Sequence, residues 1–447
     1  MQPGHNATGP KSAEFFARAG KVFGDGTTRV TIEKDPIPRY IANGEGAYVT
    51  DVDGRRFLDL NGNFTTLIHG HGFKPVADAV AHQINSGSCF ANPTEHELAL
   101  AELICGRVPA IDWLRFVNTG TEAVLFAVKA ARAYTGRPAI AKIEGAYHGA
   151  CDWVEVSQSS TADNWGDPTE PASVPYYRGT PASVLDEVVT LRFNDVEGCR
   201  RLLAKNAHRL AAIIIDPTPS RAGLVVPDPE FVEAINTTAR EFGILIIADE
   251  VLNFRQGYEG ASARHGFTPD LITLGKIIGG GLPIGAIGGS REVMSVFGRG
   301  EKRPPLPQGG TFSANPLSMV AGLAAMKALD HAAFEHLENL GTRLRHRFAS
   351  DIARHDAPFT VTGVGSLFRI HPKRLAPRDF REAAMTAVEA TVINQLTRIY
   401  ASEGIIIPNG AAACLSTPMT DADIDHVGDV FADFLSSHQQ IYESLAV

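Results

Sequence analysis

Apolar residues in this chain occur in two recurring patterns. Short continuous runs, Leu114–Val117, Ile140–Ile143, Ala211–Ile215, Ile244–Ala248, Leu271–Leu274 and Ala286–Gly289, are bounded by Gly, Pro or polar residues. Runs of that length read as strands buried on both faces. Between them lie segments with helical periodicity, Val76–Asn85, Glu95–Arg107, Glu122–Tyr134 and Phe231–Phe242, the third closed by Gly136 near its C′ position. Strands alternating with helices predict an α/β fold, a doubly wound and mostly parallel sheet. Before it, Gly46–Leu60 alternates around Asp53-Gly54 and predicts a hairpin. Beyond it, Leu317–Arg354 is largely helical. Residues 359–447 mix strands near Phe359–Thr362, Ser366–Ile370 and Ala411–Ser416 with helices, as in a small α+β domain. The expected division is 1–75, a segment joining the small domain; 76–325, the large domain; and 326–447, the small domain. The polar opening, MQPGHNATGPKS, reads as a mobile tail, and Ser157–Val184 as an irregular loop over a site or a subunit seam.

The strands deliver chemistry at their carboxyl ends, where open α/β sheets bind ligands. Ile244–Ala248 runs into Asp249 and Glu250, and Leu271–Leu274 into Gly275-Lys276. A lysine desolvated at such a place loses basicity and becomes an amine nucleophile able to form a Schiff base with a carbonyl. A carboxylate on the neighbouring strand suits the protonated ring nitrogen of an electron-withdrawing cofactor. Taken alone, Asp249 reads more readily as a turn cap and Lys276 as a solvated loop lysine; it is the neighbouring motifs that favour the chemical reading. Leu114–Val117 leads into Asn118-Thr119-Gly120-Thr121 and a helix, and a strand, Gly turn and helix aim N–H groups at an anion ahead of them. The same residues also read as a plain N-cap at Thr119 or Thr121. Ile140–Ile143 delivers Tyr147-His148, an aromatic able to lie on a planar ring. His69-Gly70-His71 has metal-like spacing, but no third ligand follows at suitable spacing, so it reads as a turn beside the pocket. The glycines at 279–281 follow Lys276, the reverse of a nucleotide-binding loop, and no internal repeat is evident.

Composition narrows the class. The 447 residues are 44% hydrophobic and 20% charged, ordinary for a globular enzyme, with net charge −9 and no long basic run, which argues against nucleic acid or anionic membrane as a partner. Five scattered cysteines without a CxxC pair, no apolar core in the N-terminus and no stretch of ~18 apolar residues lead to the expectation of a cytoplasmic protein with free thiols.

ADEVLNF…PDLITLGKIIGGGLPIGAIGG resembles the cofactor-lysine region of the class III (subgroup II) aminotransferases, pyridoxal-phosphate enzymes of fold type I. The likeness extends in order to Asn118–Ala123, Glu144–Gly149 and Gly309–Pro316, and covers most of the chain from about Gly24. The nearest branch is the one holding glutamate-1-semialdehyde aminomutase and the β-amino-acid aminotransferases. The resemblance implies pyridoxal 5′-phosphate held by Lys276, with Asp249 on its ring nitrogen. It places Tyr147 and His148 at one side of the ring, and Val251 on the other face, two residues beyond Asp249 and on its side if the strand continues. It gives Gly120 and Thr121 the phosphate, together with Thr311 from a neighbouring subunit, hence a homodimer with shared sites. Arg29 matches the position where β-amino-acid aminotransferases bind a substrate carboxylate. Their C-terminal Arg is replaced by Asn409, and Arg221 is its expected substitute, with Phe64 lining the pocket. The implied activity is a ping-pong transfer of an amino group between a carboxylate-bearing amine and a keto acid. The alternative is an isomerase of the aminomutase kind, whose gating acid has no counterpart in Asn409-Gly410-Ala411.

Overall fold

A computed structural model describes residues 8–34, 36–298 and 303–445. Seven strands form the central sheet: β1 Trp113–Val117, β2 Ala139–Ile143, β3 Val188–Leu191, β4 Leu210–Ile215, β5 Leu245–Asp249, β6 Leu271–Gly275 and β7 Gly285–Gly289. Their order is β1-β7-β6-β5-β4-β2-β3. All pairings are parallel except the two made by β7, which runs against both β6 and β1. The six expected strands are therefore present, each within a residue or two. The sheet is buried on both faces because each strand alternates between two layers. In β4, Ala212 and Ile214 face the layer containing α1 (Gly120–Thr135), while Ile213 and Ile215 face the layer containing Phe231 and Ile235. β3 was hidden in VVTLRF by its polar neighbours; as an edge strand it needs only one partner, β2.

Outside the sheet, Tyr48–Asp51 and Arg56–Asp59 form the expected hairpin. Asp51 organises its turn by accepting the N–H groups of Asp53 (3.0 Å) and Arg55 (2.8 Å). Ile405–Ile406 adds to the hairpin as a parallel strand, so the N-terminal segment shares a sheet with the C-terminal region. A separate antiparallel sheet joins Thr360–Thr362, Leu367–His371 and Ala412–Cys414. Phe348, Phe359, Phe431 and Phe434 make edge-to-face contacts, with Phe368 tilted against Phe348, between that sheet and helices His331–Arg354 and Asp421–Ser437.

One expectation is corrected and two are refined. The expected tail is a helix from Pro10, tied down where Ser12 Oγ donates to Asp53 (2.8 Å); its first seven residues lie outside the described ones. Leu317–Arg354 is largely helical, as expected, and is divided into two helices, Pro316–Ala328 and His331–Arg354, because Asp330 accepts the Ala333 N–H (2.9 Å) and caps the second. The 157–184 stretch is largely irregular, as expected, and is anchored at its start: Ser157, Gln158 and Ser160 are buried, and Ser157 Oγ donates to Ala172 O (2.8 Å). Among the described residues no helix is long and apolar enough to cross a membrane.

Candidate active site

The carboxyl ends of β1, β2, β5 and β6 open on one edge of the sheet, and the predicted residues gather there. β5 and β6 are in register with Asp249 beside Thr273, so their side chains share a face, and Thr273 Oγ1 donates to Asp249 Oδ1 (2.9 Å). Val251 N–H donates to the same oxygen (3.1 Å), and His148 Nδ1 to Oδ2 (2.7 Å). Burial holds the His148 imidazole below its ordinary pKa against the pull of Asp249, so it serves as a neutral donor. Its Nε2 is buried with no partner among the described residues. The strand does not continue through Val251, as expected from alternation. It ends at Asp249, and Val251 reaches the start of α1 through the turn that its own N–H closes. Glu250 is not part of this constellation. It accepts the N–H groups of Ala261 (2.7 Å) and Ser262 (2.6 Å), capping a short helix.

Lys276 leaves β6 with φ of 48°, a left-handed conformation that costs a non-glycine residue free energy and is found most often at functional sites. Burial pushes its amine below the ordinary lysine pKa, while the carboxylates of Asp249 and Asp216 pull the other way. Asp216, at the end of β4, is itself held well above the usual carboxylate range, by burial first and the Asp249 charge second. It receives the Asn253 amide and the Thr218 N–H (3.0 Å).

At the start of α1, Thr119 is the N-cap: its Oγ1 accepts Glu122 N–H (3.0 Å) and its carbonyl accepts Ala123 N–H (3.0 Å). Among the described residues the N–H groups of Gly120 and Thr121 have no partner and are left for whatever lies ahead of the helix. Thr121 Oγ1 meets Ala150 N–H (3.3 Å), tying α1 to the loop that carries Tyr147. A side chain at 120 has no room, since its Cβ would stand 2.7 Å from Val251 Cγ1. Buried amine, fixed carboxylate and side-chain-free helix start are together a donor set that fits an aldehyde-bearing pyridine phosphate.

The other predicted residues fall into two groups. Tyr147 is 51% exposed, with the Arg221 guanidinium 5.4 Å from its ring centroid; Arg221 Nη1 donates to Ser159 Oγ (3.1 Å) and Gln158 O (3.3 Å). Arg29 lies 5.7 Å from the Phe64 ring centroid and reaches Asn63 Oδ1 (3.5 Å). Among the described residues neither arginine forms an ion pair. Thr311 is exposed on the single chain, next to a loop fastened to β1 by Gln308, whose Nε2 donates to Phe116 O (3.2 Å). The two histidines of His69-Gly70-His71 diverge, one to Ala325 O and Thr417 Oγ1, the other to Asp59 (2.8 Å).

Sequence reasoning passed over Lys142, Arg255 and Arg369. Lys142 lies in the middle of β2 and is fully buried, with its ammonium donating to the carbonyls of Val156 (2.8 Å), Ile143 (3.1 Å) and Ala146 (3.2 Å). It thereby fixes the turn that leads to Tyr147 and His148. A lysine inside the otherwise apolar AIAKI was the available signal. Arg369, also buried, donates to Ser220 O (2.8 Å) beneath Arg221.

A family model described as Aminotransferase class-III matches residues 30–434. A Thermus thermophilus protein named glutamate-1-semialdehyde 2,1-aminomutase is 38% identical over 406 residues, 89% of this chain and 91% of its own. The crystal structure of an omega-transaminase from Sphaerobacter thermophilus is 44% identical, with a TM-score of 0.94 over 97% of this chain and 99% of that one. A β-phenylalanine aminotransferase from Variovorax paradoxus is 29% identical, with a TM-score of 0.85 over 97% and 95%.

Proposed function

We infer the reaction from the family: the chain belongs to the class-III aminotransferases, which act with pyridoxal 5′-phosphate. Our reading is that it moves an amino group between a carboxylate-bearing amine, with β-amino acids the class expected, and a keto acid, in two half-reactions on one site. When bound, the cofactor supplies an aldehyde that condenses with amines and a ring that withdraws electrons from the substrate carbon. Lys276 would hold that aldehyde until the substrate amine replaces it. Its Nζ, held below ordinary lysine basicity by burial, would take and return a proton at the substrate carbon. Asp249, oriented by Thr273, Val251 N–H and His148, keeps the ring nitrogen protonated. The N–H groups of Gly120 and Thr121 take the phosphate, and Thr311 completes that cradle for a second copy of the chain, so the working unit is a homodimer.

The observation that supports the substrate class is a pair of arginines whose partners among the described residues are all neutral, Arg29 beside Phe64 and Arg221 beside Tyr147. A planar guanidinium without a carboxylate of its own is suited to take one from substrate in two parallel hydrogen bonds. A second reading, an aminomutase that shifts an amino group within one molecule, has the name of the Thermus relative in its favour. Against it, Asn409-Gly410-Ala411 offers no acid where aminomutases are expected to carry one.

An amine-donor panel tests both. The holoenzyme's visible band should bleach with carboxylate-bearing amines and recover on adding pyruvate or 2-oxoglutarate. Complete conversion of one substrate with no acceptor present would establish the isomerase instead.

A further inference from the structure

Gly62, Asn63, Phe64 and Thr65 have φ of 53°, 51°, 54° and 72°. Four consecutive residues, three with side chains and one of them β-branched, are therefore left-handed. They wind a single left-handed turn: Thr65 N–H donates to Asn61 O (2.8 Å) and Leu67 N–H to Gly62 O (2.9 Å). L-residues visit this conformation singly, since Cβ crowds the following carbonyl. Nothing in Asn63-Phe64-Thr65 beyond the asparagine favours it, so the turn must be held by its surroundings.

Two groups hold it. At the near end, Asp59 Oδ1 accepts the N–H groups of Asn61 (2.9 Å) and Gly62 (3.1 Å), and Asn61 Oδ1 accepts Phe64 N–H (2.5 Å). At the far end the holder is Arg255, 1% exposed and six residues past Asp249. Its Nη1 donates to Thr65 O (3.0 Å), its Nε to Ser366 Oγ (3.0 Å) and its Nη2 to Leu415 O. Among the described residues it forms no ion pair. One guanidinium thus joins the segment following the central strand to the turn bearing Phe64 and to two loops flanking the small antiparallel sheet. The turn also lies close to the chemistry. The Cys414 thiol, which feels the charge of Lys276, stands 3.5 Å from where a Cβ on Gly62 would be.

We propose that Arg255 is a specificity-determining positioning residue: by keeping the left-handed turn wound, it fixes where Phe64 and Asn63, with Arg29, stand as the wall of the substrate pocket. This rests on the reading above that Arg29 and Phe64 face the substrate. The hydrogen bonds of Arg255 go to Thr65, Ser366 and Leu415, so its effect falls through the turn on which amines fit.

The test compares Arg255→Met and Arg255→Lys holoenzymes with wild type. The donor is whichever carboxylate-bearing amine of the panel bleaches the wild-type band fastest. Arg255→Met should raise KM about tenfold with kcat changed less than about threefold, the pattern of lost uniform binding. Adding Thr65→Gly removes the side chain that most resists the left-handed conformation and should bring KM back to within about threefold of wild type. A loss of general structural integrity would not be repaired at that position. Should Arg255→Met not fold, Arg255→Lys decides; it keeps the cation near Lys276 but reaches fewer acceptors, and should raise KM about threefold. An unchanged KM, a loss confined to kcat, or no repair by Thr65→Gly would overturn the proposal. Phe64→Ala and Arg29→Ala are the controls. If they too leave KM unchanged, the pocket reading has failed; if they raise it while the Arg255 variants do not, only the role of Arg255 has failed.

Discussion

Gly120→Ala places a single methyl group at the start of α1, and its consequences can be followed atom by atom. The backbone accepts it, because Gly120 is helical and not among the left-handed residues. Intrinsic propensity favours it, Ala over Gly by up to about 1 kcal/mol in a helix interior and less in the first turn. Packing opposes it. The new Cβ would lie 2.7 Å from Val251 Cγ1 and 3.1 Å from Cγ2. Val251 is β-branched and stiff at χ1. On the β6 side its Cγ1 lies over the bare backbone of Gly275, where an added Cβ would stand 3.2 Å away. Either α1 backs away, carrying the N–H groups of Gly120 and Thr121 with it, or Val251 turns into the space beside Asp249. Overpacking of this kind costs about 1–3 kcal/mol. The propensity gain offsets part of that in the cofactor-free protein, whose melting should change by only a few degrees. Cofactor affinity has no such offset and should fall roughly tenfold to a hundredfold, about 1.4 kcal/mol per decade. The assay is titration of cofactor-free wild type, Gly120→Ala, Val251→Ala and the double variant with pyridoxal 5′-phosphate, followed by absorbance and paired with melts. Val251→Ala makes room, so the double variant should bind within about threefold of Val251→Ala alone, a coupling of at least about 0.7 kcal/mol between the two sites. Strict additivity, or wild-type affinity in Gly120→Ala, would refute the packing argument.

Lys276→Ala should leave the fold intact, as judged by its melt with the cofactor absent, but give no protein-bound label after borohydride treatment with the cofactor; a label on another lysine would move the site. Arg29→Ala and Arg221→Ala should each weaken carboxylate-bearing donors about tenfold or more while leaving simple amines within about threefold. Equal loss for both donor types, measured as kcat/KM, would remove the two arginines from substrate recognition. Lys142 predicts a pH dependence. Burial lowers its pKa from 10.5 to about 7, so between those values the unfolded chain holds a proton that the folded chain has released. Its contribution to stability therefore rises with pH from about 7 toward 10.5, by at most roughly 1.4 kcal/mol per unit, and is flat below about 7 where both states are protonated. Denaturant unfolding of wild type and Lys142→Met from pH 6 to 9 should show that slope in their difference, and a difference independent of pH would contradict it.

Much of the candidate site was readable because its signals are local. A buried parallel strand needs a continuous apolar run, and a residue just past such a run stands at the carboxyl edge wherever the strand lies in the sheet. That places Asp249 and Lys276 without any knowledge of their neighbours. Thr119-Gly120-Thr121 announces a helix start in the same way, though whether Thr119 or Thr121 caps it depended on which hydroxyl the loop at Ala150 claims. The helical Pro10–Ala19 was misread, and the break at Asp330 was not located, because both rest on a single capping or tethering carboxylate amid otherwise neutral pattern.

Sequence by itself determined the strand and helix alternation, the residues at the sheet edge and the family. All of these follow from periodicity and short motifs, which are properties of neighbours along the chain. Only the tertiary structure decided that Val251 closes over Gly120, that Lys142 lies dry beneath the Tyr147 turn, and that Asn63-Phe64-Thr65 is wound left-handed. Each of those states is unfavourable for the residues that adopt it and exists because distant groups compensate: Gly120 for Val251, the Val156 carbonyl for Lys142, Arg255 for Thr65. A local pattern reports what a segment prefers, and such compensation reports what the rest of the molecule imposes on it.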